Sequence, residues 1–143
     1  MPGPTPLITA LRVRYAECDM QGHVFNGHYL MYFDIAHSEA LRSASGLTYP
    51  ELMQANGVDM VVAESGVKYL APAHYDDLLE IAVTFAPLTT SSLTSTFAVG
   101  RGGTTIATGF LRHVCVDDKA YKKAAWPDVV RSALDPYVAS PAS

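Results

Sequence analysis

At 143 residues, 49% hydrophobic and 17% charged, the chain is one domain with enough apolar sequence to bury a core, and the composition excludes disorder. A net charge of −4 gives no basis for nucleic-acid binding, no run approaches the ~20 apolar residues of a membrane helix, and no basic-then-apolar leader opens the sequence. Cys18 and Cys115 are too few and too far apart for a disulfide framework or a metal cluster, so the expectation is a soluble, cytoplasmic single-domain protein (1–143) with no membrane insertion.

Met1 to Pro6, with three prolines and a glycine, is expected to be a flexible tail, as is 138–143. Leu7 to Tyr15 alternates, with Leu7, Thr9, Leu11, Val13 and Tyr15 on one face, and predicts the first strand. The strand pattern stops at Asp19. Gln21-Gly22 and Asn26-Gly27 then supply turn chemistry, since Gly and Asn tolerate backbone conformations that other residues avoid. From Tyr29 the apolar positions Tyr29, Phe33, Ala36 and Ala40 share one helix face, widened by Leu30, Met31, Ile35 and Leu41. The long helix is therefore expected to be buried on several sides. Asn26 stands where an N-cap belongs and Gly46 where a helix stops. Thr48, with Glu51 three residues on, forms a capping box. With Pro50 it predicts a short second helix that ends at Asn56-Gly57.

From Asp59 to Val116 the chain is nearly all strand. Asp59–Leu70, Leu78–Leu88, Leu93–Val99 and Thr104–Val116 each show period-two patterning. Gly100-Arg-Gly-Gly103 reads as a hairpin turn rather than a phosphate loop, because no helix comes after it. A basic stretch with Lys122 and Lys123 precedes a short helix after Pro127. The order is that of an α+β fold: an antiparallel sheet of about five strands covered by one long helix. One helix leaves sheet surface and an edge strand open, which a second copy can hide.

The run Tyr15-Ala-Glu-Cys-Asp19-Met-Gln-Gly22-His-Val24-Phe25-Asn26-Gly-His-Tyr29 and the later Tyr69-Leu-Ala-Pro72-Ala-His-Tyr75-Asp76-Asp77 resemble the 4-hydroxybenzoyl-CoA thioesterase family of hotdog-fold proteins. The likeness extends from about Leu11 to Pro127. It implies a sheet wrapped around one long central helix, a homodimer or homotetramer with the active site at the subunit interface, and cofactor-free hydrolysis of an acyl-CoA substrate. Such hydrolysis is chemically undemanding. A thioester carbonyl is less resonance-stabilised than an ester, and a thiolate leaves readily. An activated water or a carboxylate nucleophile, with donors for the oxyanion, suffices. No Gly-x-Ser-x-Gly elbow occurs in the chain.

The resemblance assigns Asp19 the place of the family's catalytic acid, acting as nucleophile or general base. Asn26, seven residues on, matches the position whose backbone N–H holds the thioester oxygen. The substrate-binding candidates around this turn are Gly22, His23, Phe25 and Tyr29. His23 by itself reads either as a group that orients substrate or water or as a solvated turn residue. The spacing of His23 and His28, with Asp34 and His37 nearby, fits no common ligand motif, so no metal is expected. Glu17 reads as a surface charge, and Tyr69, Pro72, Tyr75, Asp76 and Asp77 as a structural corner. Lys122 and Lys123 read as contacts for coenzyme A phosphates or as a solvated pair. Where the family member that processes hydroxybenzoyl-CoA has basic residues, this chain has Thr89-Thr90-Ser91-Ser92, so its grip on the nucleotide differs. Should Asp19 fail as the acid, Glu64 is next in line. Two other readings stay open: an enoyl-CoA hydratase on the same fold, which needs an Asp–His pair in a different motif, and a non-catalytic acyl-binding dimer.

Overall fold

In the computed structural model, which describes residues 6–139, the alternation of the first strand is realised in β1 (Leu7–Arg12), where half-buried and exposed residues take turns. The strand ends earlier than its pattern suggests. Val13 leaves the ladder to bond with Asp77, and a 3-10 turn occupies Tyr15–Glu17. The long helix α1 (His28–Ser45) stops at Gly46, whose φ of 72° closes the last turn in the left-handed region. The capping box forms as expected: Thr48 accepts from the Glu51 N–H at the start of α2 (Tyr49–Leu52), and Glu51 bonds back to the Thr48 N–H.

Four further strands complete the sheet: β2 (Val58–Tyr69), β3 (Leu78–Phe85), β4 (Ser92–Arg101) and β5 (Thr104–Asp117), with the short α3 (Asp128–Leu134) after them. All pairings are antiparallel, in the order β1-β3-β4-β5-β2. The turn at Gly102-Gly103, both at positive φ, joins β4 to β5. This is the hotdog arrangement. No helix among the described residues is long and apolar enough to cross a membrane.

The core lies between α1 and one face of the sheet. Ile81, Val83 and Phe85 of β3, Leu93 and Phe97 of β4, and Leu111 and Cys115 of β5 are buried against Tyr32, Phe33, Ala36 and Ala40. Phe33 stacks flat on Phe97, ring centroids 4.5 Å apart. That closeness depends on Gly109, where an added Cβ would overlap both the Gly66 carbonyl oxygen and the Phe33 ring. Deeper along α1, His37 stacks on His113 at 4.3 Å, with Nδ1 3.0 Å from Ser95 Oγ and Nε2 3.3 Å from Met60 Sδ.

Two expectations change. The helix is not buried on several sides within one chain: Leu30, Asp34, Ser38 and Glu39 are exposed, so one stripe of α1 faces outward. Val138 and Ala139, expected to belong to a flexible C-terminal tail, are instead tied to β3. Val138 bridges to Phe85, and the Ala139 N–H donates to the Phe85 carbonyl at 2.7 Å. The other residues expected to form tails, 1–5 and 140–143, lie outside the described residues.

Candidate active site

The segment between β1 and α1 is a loop knotted at its neck. The Phe25 N–H donates to the Glu17 carbonyl at 2.9 Å, Cys18 bridges to Val24, and the Asp19 N–H donates to the His23 carbonyl at 2.8 Å. The Gly22 N–H returns to the Asp19 carbonyl, a turn that needs the positive φ of Gly22, 78°. The Asp19 side chain closes the turn with one oxygen only: Oδ1 accepts from Gln21 N–H at 2.9 Å and from His23 N–H at 3.4 Å. Oδ2 has no hydrogen-bond partner among the described residues.

Asn26 does not cap the helix. The N-cap is Gly27, with no side-chain hydrogen bond, and helical geometry begins one residue later. The Asn26 carbonyl accepts from Tyr29 N–H at 3.2 Å and from the Tyr69 hydroxyl at 3.1 Å. The N–H groups of Asn26 and Gly27 find no acceptor among the described residues. An uncapped start to an 18-residue helix leaves donors and the positive end of the dipole available to an oxyanion.

Asp19, His23, Asn26 and Tyr29 form one side of a pocket of about 270 Å³, and Tyr69 to Pro72 form the other. The Tyr29 ring is buried between Tyr32 and Tyr69, at 5.8 and 5.2 Å in edge-on contacts, and burial pushes its phenol pKa up. A second, larger hollow of about 550 Å³ lies across the Asp19 turn, lined by Tyr15, Cys18, Met20, Gly22 and Tyr75. Asp19 borders both.

The wall beyond the pocket is braced. The His23 ring sits edge-on to His74 at 4.8 Å. The His74 N–H donates to Asp77 Oδ2 at 2.8 Å, and Arg101 donates to the same oxygen at 3.1 Å and to the Pro72 carbonyl at 2.7 Å. Burial alone would raise the Asp77 carboxyl, but the bonds from His74 and Arg101 outweigh it and hold its pKa below the usual carboxylate range. The corner read as structural is structural. It also supplies pocket wall through Tyr69, Leu70, Ala71 and Pro72, which residue-by-residue reading missed. The one signal for it was that Tyr69–Asp77 is half of the family likeness.

Glu17 overturns its reading as a surface charge. It is 3% exposed. Its Oε1 accepts from Arg14 N–H and Tyr32 hydroxyl, each at 2.8 Å, and its Oε2 meets Arg14 Nε at 2.8 Å and Nη2 at 2.6 Å. Burial pushes its carboxyl up, yet the bonds from Arg14 and Tyr32 together bring it below the ordinary value. Glu17 is therefore a buried anion.

Among the substrate-binding candidates, His23 and Tyr29 meet in the pocket and Gly22 borders only the second hollow. Phe25 is exposed and packs on His28 at 6.0 Å, outside the pocket. Lys122 and Lys123 lie at the other end of the sheet. Lys123 bridges to Val116, and the Lys122 carbonyl accepts from Asp117 N–H, where Asp118 meets Gly57 at the head of β2. The pocket is at the tail of β2, about 36 Å away along a strand of this length. Glu64 pairs with Arg112 at 3.2 Å, on the sheet face opposite to Leu111 and His113 and so away from α1. Among the described residues, no group of three or more His, Cys, Asp or Glu side chains is placed to hold a metal ion.

A family model described as "Thioesterase-like superfamily" matches residues 13–134. An Escherichia coli protein named "Acyl-CoA thioester hydrolase YbgC" is 30% identical over 118 residues, covering 82% of this chain and 87% of that protein. Among solved structures, a hypothetical protein from Thermus thermophilus is 34% identical with a TM-score of 0.82, covering 91% of this chain and 98% of that one. Another, from Aquifex aeolicus, is 29% identical with a TM-score of 0.83, covering 90% and 99%.

Proposed function

Because the chain belongs to the thioesterase-like superfamily, we propose that it hydrolyses acyl-CoA thioesters to free acid and coenzyme A, with Asp19 as the working carboxylate. The observation that carries this reading is the free Oδ2 of Asp19, which borders the same pocket as the uncapped start of α1. A thioester bound in that pocket would offer its carbonyl oxygen to the Asn26 N–H, with the Asp19 carboxylate on the same pocket wall. Charge that builds on the oxygen during attack is then met by donors already in place. Two routes close from there. Asp19 adds to the carbon, the C–S bond breaks, the thiolate leaves, and water hydrolyses the resulting anhydride. Alternatively Asp19 takes a proton from water, hydroxide adds, and the proton passes to the departing thiolate. Neither route needs a cofactor.

A long edge strand supports a homodimer or homotetramer. β2 is 12 residues with β5 as its one strand neighbour among the described residues, and it exposes Val61, Val62 and Tyr69. Such an edge in a lone chain invites pairing with another. In that assembly Lys122 and Lys123 would serve coenzyme A bound at a neighbouring subunit's pocket, since they are too far from their own. Both cysteines are free thiols, which suits a reducing compartment such as the cytoplasm; recovery of the protein from an extracytoplasmic fraction would count against that location.

The test is Asp19→Asn, assayed by thiol release over short, long and aromatic acyl-CoAs. The amide keeps the size and the turn but cannot take a proton or attack as an anion. We expect kcat to fall about 10²–10⁴-fold with acyl-CoA binding nearly intact, while Glu39→Gln, exposed in mid-helix, leaves turnover unchanged. Turnover by Asp19→Asn within a few-fold of wild type removes Asp19 from the mechanism. Hydration of crotonyl-CoA, or acyl-CoA binding with no thiol released by the wild type, replaces hydrolysis with one of the other two readings.

A further inference from the structure

A buried carboxylate two residues from the working acid needs an account. The fold could have filled this place with an apolar side chain and avoided the desolvation of a charge. Instead the Glu17 carboxylate is fully satisfied by four hydrogen bonds or ion contacts from two partners, Arg14 and Tyr32. Those partners belong to different elements. Arg14 lies just past the end of β1, and Tyr32 lies in the second turn of α1, 15 residues past Glu17. The main chain of Glu17 adds a third tie, since its carbonyl holds the Phe25 N–H at 2.9 Å. The two ends of the catalytic loop therefore meet at this residue. Asp19 leaves the knot on one side and the Asn26 N–H on the other.

We infer that Glu17 is a positioning residue: by clamping Arg14, Tyr32 and Phe25 together it sets the Asp19 carboxylate against the amides at the start of α1. The inference rests on Asp19 being the working acid. Its physical content is that the rate depends on a separation fixed outside the pocket. Glu17 lines neither the pocket nor the hollow beside it, so it touches no substrate and acts only through what it holds. Misplacement of reacting groups by about 1 Å costs on the order of 10²-fold in rate, even when the altered residue is remote from the chemistry.

The experiment compares Glu17→Gln, Tyr32→Phe, Asp19→Asn and the Glu17→Gln/Asp19→Asn double variant. Each is measured for thiol release from an acyl-CoA that the wild type hydrolyses, and for thermal melting. Glutamine sets an N–H₂ against groups that are themselves donors, which opens the clamp at unchanged size. We expect Glu17→Gln to lower kcat about 10- to 100-fold with KM within about three-fold, since a misplaced acid affects the transition state more than binding. Tyr32→Phe removes one hydroxyl and should lower kcat about 3- to 10-fold by the same route. In the Asp19→Asn background there is no acid left to place, so adding Glu17→Gln should cost no more than about two-fold.

A lowered melting temperature with unchanged kcat per folded enzyme overturns the inference, makes Glu17 structural only, and leaves Asp19 standing. A full further loss on top of Asp19→Asn also overturns it. If Glu17→Gln does not fold, Tyr32→Phe decides, and an unchanged kcat there rejects the clamp. Near-wild-type turnover by Asp19→Asn takes down the reading of the site and this inference together.

Discussion

Mild acid should destabilise this protein well before its carboxylates titrate, because of one histidine. His37 is buried in the centre of the core, stacked on His113, with Ser95 and Met60 at its two ring nitrogens. Burial, with the neighbouring His113 adding to it, pushes its pKa down from 6.5 to about 3. In the unfolded chain the ring titrates near 6.5. Between those values the unfolded state binds a proton that the folded state refuses, so stability falls as the pH drops from 6.5 toward 3 and is flat above about 7. At pH 5 the unfolded ring is almost wholly protonated and the folded ring is not. The difference from pH 7 comes to about 2 kcal/mol for this one group. The figure hardly depends on where the folded value lies below 4, since at pH 5 the folded ring is neutral in any case. His113, also pushed down by burial and only partly relieved by the charge of Asp34, acts in the same direction. The lowered carboxyls of Glu17 and Asp77 share the sign but act only from about 4.5 and 3.8 downward. Urea unfolding at fixed protein concentration, at pH 7 and pH 5, should therefore show a loss of about 2 kcal/mol or more in the wild type, and a loss smaller by about that amount in His37→Gln. The comparison is between slopes, so it survives whatever stability the substitution itself costs. Equal losses in the two proteins would refute the reasoning.

Light scattering should find a dimer or tetramer at assay concentrations, and Lys122→Ala with Lys123→Ala should then raise KM for acyl-CoA with little change in kcat, because a phosphate contact remote from the carbonyl binds ground and transition states alike. The effect should shrink as salt rises; an active monomer rejects the first expectation, and an unchanged KM at low ionic strength returns the lysines to solvent. Gly109→Ala should destabilise by about 3 kcal/mol or more, since its new methyl meets backbone at Gly66 and the Phe33 ring together. Gly66→Ala should cost about 1–2 kcal/mol less, because its methyl meets only the far edge of Phe110, at 2.6 Å, and that ring can swing away. Urea midpoints read both, and equal costs would mean that the close approach at Gly109 is not what holds α1 to the sheet.

Much of this molecule is written locally. The period-two runs became β2 to β5, the Thr48 box and the Gly46 stop closed their helices as read, and the Asp19–Gly22 turn formed where its residues allow it. Each of those depends on neighbours a few positions away, through backbone freedom, side-chain spacing or a single turn of hydrogen bonds. Long-range contacts were not legible in that way. Glu17 and Asp19 are two carboxylates two residues apart with similar sequence surroundings. Only the arrival of the Tyr32 hydroxyl from α1 and the folding back of Arg14 make one a buried anion and leave the other with a free oxygen in a pocket. Tyr69 became pocket wall, and a partner for the Asn26 carbonyl, because β2 runs back along the sheet to end beside the start of α1. Lys122 and Lys123 fell at the opposite end of that same strand. Sequence spacing records which face a residue takes on its own element; which element then crosses that face is decided by how α1 packs on the sheet, and that packing sets the surroundings of every acid in the loop.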